Sequence, residues 1–132
     1  MFGFDPDQWD AARSQACHAL VQRALSGETI FYSELTPKIT AIHLVTGGDK
    51  DRAALGKMLG QISRRTHAQG IGMLSAFVVL KETNRPANRF FALAKELGYR
   101  FDDRDKFWLQ QMTELTNHYN SVGPERTGRE CG

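Results

Sequence analysis

Apolar positions in this 132-residue chain recur with helical periods at both ends and with shorter, extended periods between them. Trp9, Ala16 and Leu20, with Ala12 and Cys17 beside them, fall on one helical face. Asp5-Pro6-Asp7-Gln8 in front of that face predicts the helix start. Asp5 supplies the cap, Pro6 fits the first helical position and Gln8 completes a box-like pair, while Gly27 predicts the stop. Thr29-Ile30-Phe31-Tyr32 is rich in β-branched and aromatic residues and predicts a short strand. Thr36-Pro37 predicts a second, short helix with Ile39, Ile42 and Val45 as its buried side, broken at Gly47-Gly48. A third helix, roughly residues 51 to 67, follows a cap at Asp49 or Asp51, and Leu55, Met58, Leu59 and Ile62 form its i, i+3, i+4, i+7 stripe.

Beyond the turn residues Gly70 and Gly72, the run from Met73 to Lys81 is the strongest predicted strand. Leu74, Ala76, Val78 and Leu80 line one face, and Met73, Phe77 and Val79 make the other apolar, so both faces should be covered. Thr83-Asn84-Arg85-Pro86 reads as a turn. A helix capped by Asn88 follows, carrying Phe90, Phe91, Leu93, Ala94 and Leu97 and closing at Gly98. The last helix starts near Asp102 or Asp103 and carries the stripe Trp108, Met112, Leu115 and Tyr119.

This order predicts a mostly helical α+β fold: a winged helix-turn-helix-like core with extra N- and C-terminal helices. A plain α+β domain with one small sheet is the competing plan. Residues 1–120 read as a single domain. Residues 121–132 read as a flexible C-terminal tail, because they combine Gly, charge and Pro124 without an apolar period. The final stripe predicts pairing with the first helix inside one chain, and its aromatic edge leaves room for a weak homodimer through Trp108, Met112, Leu115 and Tyr119.

Composition narrows the class. Hydrophobic residues at 41% and charged residues at 24% suit a globular protein with a real core. No apolar run approaches the ~18 residues of a membrane span. Met1 to Asp10 is acidic without an apolar signal core, which argues against export. The two cysteines, Cys17 in a predicted helix and Cys131 in the polar tail, form no disulfide framework and suit a reducing cytoplasm.

Charge changes the picture most. The formal net charge is only +2, yet Lys50, Arg52, Lys57, Arg64, Arg65, Lys81, Arg85 and Arg89 fall in one stretch opposed only by Asp51 and Glu82. Such a concentration predicts a surface for a polyanion. Lys57, Gln61 and Arg64, spaced i, i+4, i+7, lie opposite the apolar stripe, with Arg65 at its edge. That is the layout of a groove-reading helix, and Lys81, Arg85 and Arg89 would hold the backbone from the wing.

No catalytic motif is specific. Gly56 and Gly60 stand four apart inside a helix, where each glycine costs roughly 1 kcal/mol, so close packing or the approach of a ligand is expected. A phosphate loop is excluded because Asp51 stands where a Gly is needed and Met58 where Ser or Thr is needed. His18, His43, His67 and His118 show no metal-ligand spacing. Ser75 lacks a nucleophile elbow. Asp102, Asp103 and Asp105 sit where carboxylates complement a helix dipole.

Thr29-Ile30-Phe31-Tyr32-Ser33-Glu34-Leu35, followed by the helix with Leu55, Gly56, Leu59 and Ile62, resembles the winged-helix domain of alkylguanine alkyltransferase-like proteins over about residues 28 to 90. That resemblance implies a scaffold and DNA contact. It does not imply alkyl transfer, because Leu74-Ser75-Ala76-Phe77 stands where the family has its reactive Pro-Cys-His-Arg motif. The pattern of Tyr-Ser-Glu-Leu, Leu-Gly-Gln-Ile, Leu-Ser-Ala-Phe-Val-Val and Phe-Phe-Ala-Leu-Ala also resembles small bacterial proteins, a likeness that brings no function with it. The expectation is a non-enzymatic cytoplasmic protein without cofactor or metal that binds nucleic acid, first of all duplex DNA. The alternative is a protein-interaction module (an inhibitor, immunity protein or complex subunit) using the same basic face on an acidic partner.

Overall fold

Asp5 begins the first helix as expected: its carboxylate accepts from the backbone N–H groups of Asp7 and Gln8, and Pro6 opens α1, Pro6–Ser26. Gly27, in the left-handed region at φ 74°, ends it. The computed structural model describes residues 3–44, 48–123 and 126–131. Within them the chain continues as β1 (Ile30–Phe31), α2 (Tyr32–Leu35), a 3-10 turn (Thr36–Lys38), α3 (Asp49–Ala68), a second 3-10 turn (Leu74–Phe77), β2 (Val78–Val79), α4 (Asn88–Glu96), α5 (Arg104–Ser121) and a last 3-10 turn (Arg129–Cys131). This is a mostly helical α+β fold with a two-stranded sheet. β1 and β2 run parallel, Ile30 opposite Val78 and Phe31 opposite Val79.

The predicted apolar faces are the core. Trp9, Ala12, Ala16, Cys17 and Leu20 of α1 are buried against Leu55, Met58, Leu59 and Ile62 of α3 and Trp108, Leu115 and Tyr119 of α5. Met112 is partly buried. The α5 stripe is thus used inside the chain, through the expected pairing of α1 with α5.

Two segments differ from the expected elements for one shared reason. Residues 36–45 were expected to be helical. The helix is instead the earlier α2, the 3-10 turn follows, and Ile39 is extended. Gln15 of α1 holds this extended run: its Oε1 accepts from the N–H groups of Thr40 and Ala41, and its amide donates to Thr40 Oγ1. Ile39 and Ile42 are buried as expected, and Val45 lies outside the described residues.

The expected strand Met73–Lys81 is likewise buried but shortened to Val78–Val79. Among the described residues no second strand lies beside its first half, and helix side chains satisfy that backbone instead. Gln111 accepts from Met73 N, Thr66 from Leu74 N and Ser63 from Ser75 N, while Trp108 Nε1 donates to Ala76 O at 2.8 Å. Ser75 also receives the Ser63 hydroxyl at 2.6 Å. Among the described residues, no buried side-chain nitrogen or oxygen lacks a hydrogen-bond partner.

Smaller corrections concern caps. Gly48, not Asp49 or Asp51, precedes α3, and Ala87, not Asn88, precedes α4. Asp103 caps α5 by accepting from Lys106 N.

The C-terminal segment differs most from expectation. Residues 126–131 turn back onto α1 and α3 instead of trailing away, Glu130 also meets Tyr119 of α5, and Glu130 and Cys131 are buried. Cys131 forms a disulfide with Cys17, 114 positions away, with Cα atoms 5.4 Å apart. The reading of two unlinked cysteines is therefore corrected, and with it falls the cysteine argument for a reducing compartment. A spacing of this length has no local signature: the pairing exists because α1 and the last turn meet in space.

Among the described residues, no helix is long and apolar enough to cross a membrane.

Candidate functional site

Helix α3 presents its polar residues in two directions. Gln61 turns toward α1, where its Oε1 accepts from Trp9 Nε1 at 2.9 Å and Arg13 at 3.0 Å. Arg65 turns the same way and donates to the Glu130 carbonyl at 3.0 Å. These two expected groove-facing residues thus help to close the C-terminal seam. A small cavity of about 100 Å³ remains there, lined by Arg13, Gln61, Arg65, Glu130 and the disulfide.

Glu130 is central to that seam. Its carboxylate accepts a short hydrogen bond from the Tyr119 hydroxyl. Burial above all, then this hydrogen bond and the Glu130 charge, push the Tyr119 hydroxyl far above its ordinary pKa.

On the other side of α3, Lys57 and Arg64 are exposed. Arg64 pairs with Glu96 of α4 at 2.7 Å. The expected wing residue Arg85 pairs with Asp105 of α5 at 2.9 Å. The turn around it follows β2 directly and leads into α4, so it is an arm without a returning strand among the described residues. Lys81 and Arg89 make no hydrogen bond or ion pair among the described residues. The seven residues therefore divide: Arg65 serves the seam, Gln61 is hydrogen-bonded at the seam and also borders the α3–α4 groove, Arg85 faces α5, and Lys57, Arg64, Lys81 and Arg89 line two adjacent grooves.

Those grooves share Gly56 and Arg89. One, of about 570 Å³, has Phe31, Tyr32, Leu55 and Leu80 in its walls and Arg52 and Lys81 beside Arg89. The other, of about 620 Å³, lies between α3 and α4 and is lined by Lys57, Arg64, Leu93 and Glu96 among others. Gly56 is what lets Arg89 lie there. A Cβ at this position would come within 1.5 Å of Arg89 Nη1. The expected close approach at Gly56 is therefore that of a side chain from α4. At Gly60 a Cβ would meet only Leu93, at an ordinary 4.0 Å, so nothing comparable constrains it.

Sequence reasoning passed over Tyr32, a half-buried wall residue of the first groove. Burial raises its hydroxyl above the usual pKa, and the Arg89 charge opposes that rise. The hydroxyl is therefore a neutral donor near pH 7. The signal for it was the aromatic pair Phe31-Tyr32, read only as strand propensity.

Among the described residues, no group of three or more His, Cys, Asp or Glu side chains could hold a metal ion. His67 Nδ1 lies 2.8 Å from the Tyr99 hydroxyl. Compared with family models, curated proteins and solved structures, the chain matches none.

Proposed function

We propose that the α3–α4 side of the molecule binds an extended polyanion, nucleic acid in duplex form, without catalysing a reaction on it. The observation that carries this reading is the seam at Arg89 and Gly56. Two grooves meet there, one bearing Lys57 and Arg64, the other Arg52 and Lys81, with Arg89 common to both. Long cationic side chains along adjoining grooves are suited to successive phosphates. The finer reading of the fold as a winged helix is supported by the strand-to-helix passage at Ile30–Leu35, by α3 as the helix beside the cations, and by the arm after β2. In that reading the wing is a short loop, and Arg85 reaches phosphate only by leaving Asp105.

The test is an electrophoretic mobility shift on random-sequence duplex over a salt series. Each phosphate neutralised contributes about 0.9 to the log–log slope. Lys57→Glu and Arg89→Glu should each weaken binding uniformly across sequences and reduce the slope. Absence of a complex in low salt, or a slope near zero, overturns the proposal.

A further inference from the structure

Beside its cations, the groove walled by Phe31, Tyr32, Leu55 and Leu80 has an apolar wall that a phosphate backbone alone would leave unused. Its volume of about 570 Å³ falls in the range of small-molecule sites, roughly 300–1,000 Å³. Its lining combines the apolar surfaces of Phe31, Tyr32, Leu55 and Leu80 with charged side chains of both signs. Arg52, Lys81 and Arg89 face Asp51 and Glu82, so the lining carries an excess of one positive charge.

Arg89 is the group best prepared to receive an anion. Its guanidinium lies on the bare backbone at Gly56, a seat that any larger residue would occupy. Arg64, Arg65 and Arg85 each have a hydrogen-bond partner within the fold. Arg89 makes no hydrogen bond or ion pair among the described residues, so its donors remain available. The Tyr32 hydroxyl, which feels the Arg89 charge, makes no hydrogen bond among the described residues either. A guanidinium with available donors, lining the same groove as a neutral hydroxyl donor, suits a carboxylate, which takes two parallel N–H···O bonds from arginine and accepts a third from a hydroxyl.

We propose that this groove binds a small organic monoanion: one carboxylate, held by Arg89 and Tyr32, on an apolar body the size of one or two rings, held by Phe31, Leu55 and Leu80. The single excess charge favours a monoanion over a dianionic phosphate ester. This inference goes beyond polyanion binding and does not rest on it.

The experiment is amide chemical-shift mapping by NMR on the full chain, with naphthylacetate as probe and naphthylacetamide as its uncharged counterpart. No nucleic acid is present, so the outcome is independent of the mobility-shift test. Naphthylacetate should shift Phe31, Tyr32, Leu55, Gly56 and Leu80 in a saturable way and bind about tenfold or more tightly than the amide. Arg89→Gln should erase the preference for the acid, and Tyr32→Phe should reduce it. Gly56→Ala should weaken the acid without removing any charge, because it displaces the guanidinium. The proposal is overturned by equal binding of acid and amide, by shifts that map elsewhere, or by no saturable shift at low-millimolar naphthylacetate.

Discussion

The two sides of helix α3 use the same residue types to opposite ends. On the side facing α1 and the C-terminal turn, Gln61 and Arg65 are engaged by Trp9, Arg13 and Glu130, and a disulfide closes the seam. On the side facing α4, Lys57 is exposed, Arg89 rests on Gly56, and two open grooves adjoin. A basic residue on a helix is therefore informative only once its partner is known. Where a backbone carbonyl waits within reach, arginine is a clamp. Where only glycine lies beneath it, arginine is an outward-facing donor.

The contrast predicts unequal responses to mutation. The disulfide should contribute most. Closing a loop of 114 positions restricts the unfolded chain by about 4–5 kcal/mol in the loop-entropy account. Cys17→Ser/Cys131→Ser should lower the urea midpoint accordingly and leave the α3–α4 grooves intact while the protein remains folded. Removing a central core side chain should come next. Trp108→Ala should lower stability by about 3–5 kcal/mol. Because Trp108 is buried within the chain, the loss should be the same at every protein concentration.

Gly56→Ala sharpens the comparison at smaller scale. Alanine is favoured over glycine in a helix by about 1 kcal/mol, but here its Cβ meets the Arg89 guanidinium. The substitution should raise the urea midpoint in an Arg89→Ala background and raise it less, or lower it, in wild type. Additive effects would show that Arg89 does not occupy that seat.

Alkaline titration tests the closed side. The Tyr119 hydroxyl titrates above its ordinary value of 10.0 in the folded chain. The folded state thus retains that proton more strongly than the unfolded state does. Its contribution to stability is full below about pH 10 and is lost as pH rises beyond it. Tyr119→Phe should flatten that alkaline decline in thermal melts. Smallest of all should be Arg64→Ala, which breaks an exposed ion pair with Glu96; such pairs contribute about 0.2–1 kcal/mol.

The parts legible in the sequence were those set by periodicity and caps. The buried faces of α1, α3 and α5 follow from apolar spacing, and Asp5, Gly27 and Asp103 mark ends through local chemistry. The parts that were not legible depend on partners distant in sequence. Leu74–Phe77 has the composition of a strand, but Ser63, Thr66, Gln111 and Trp108 supply the hydrogen bonds that a neighbouring strand would give. Gln15 does the same for Thr40 and Ala41. The candidate site was legible as a surplus of cations. Their division between seam and grooves was not, because helical spacing gives the direction of Arg65 and Gln61 but not what they meet.

The link from Cys17 to Cys131 also makes most of the polypeptide a covalent ring. The turn Lys81–Arg85 is exposed along its whole length and carries one site for a trypsin-like protease, after Lys81, since Pro86 blocks cleavage after Arg85. A single cut there opens the ring without separating its pieces. The nicked protein should run as one species in denaturing electrophoresis without reductant and as two fragments after reduction.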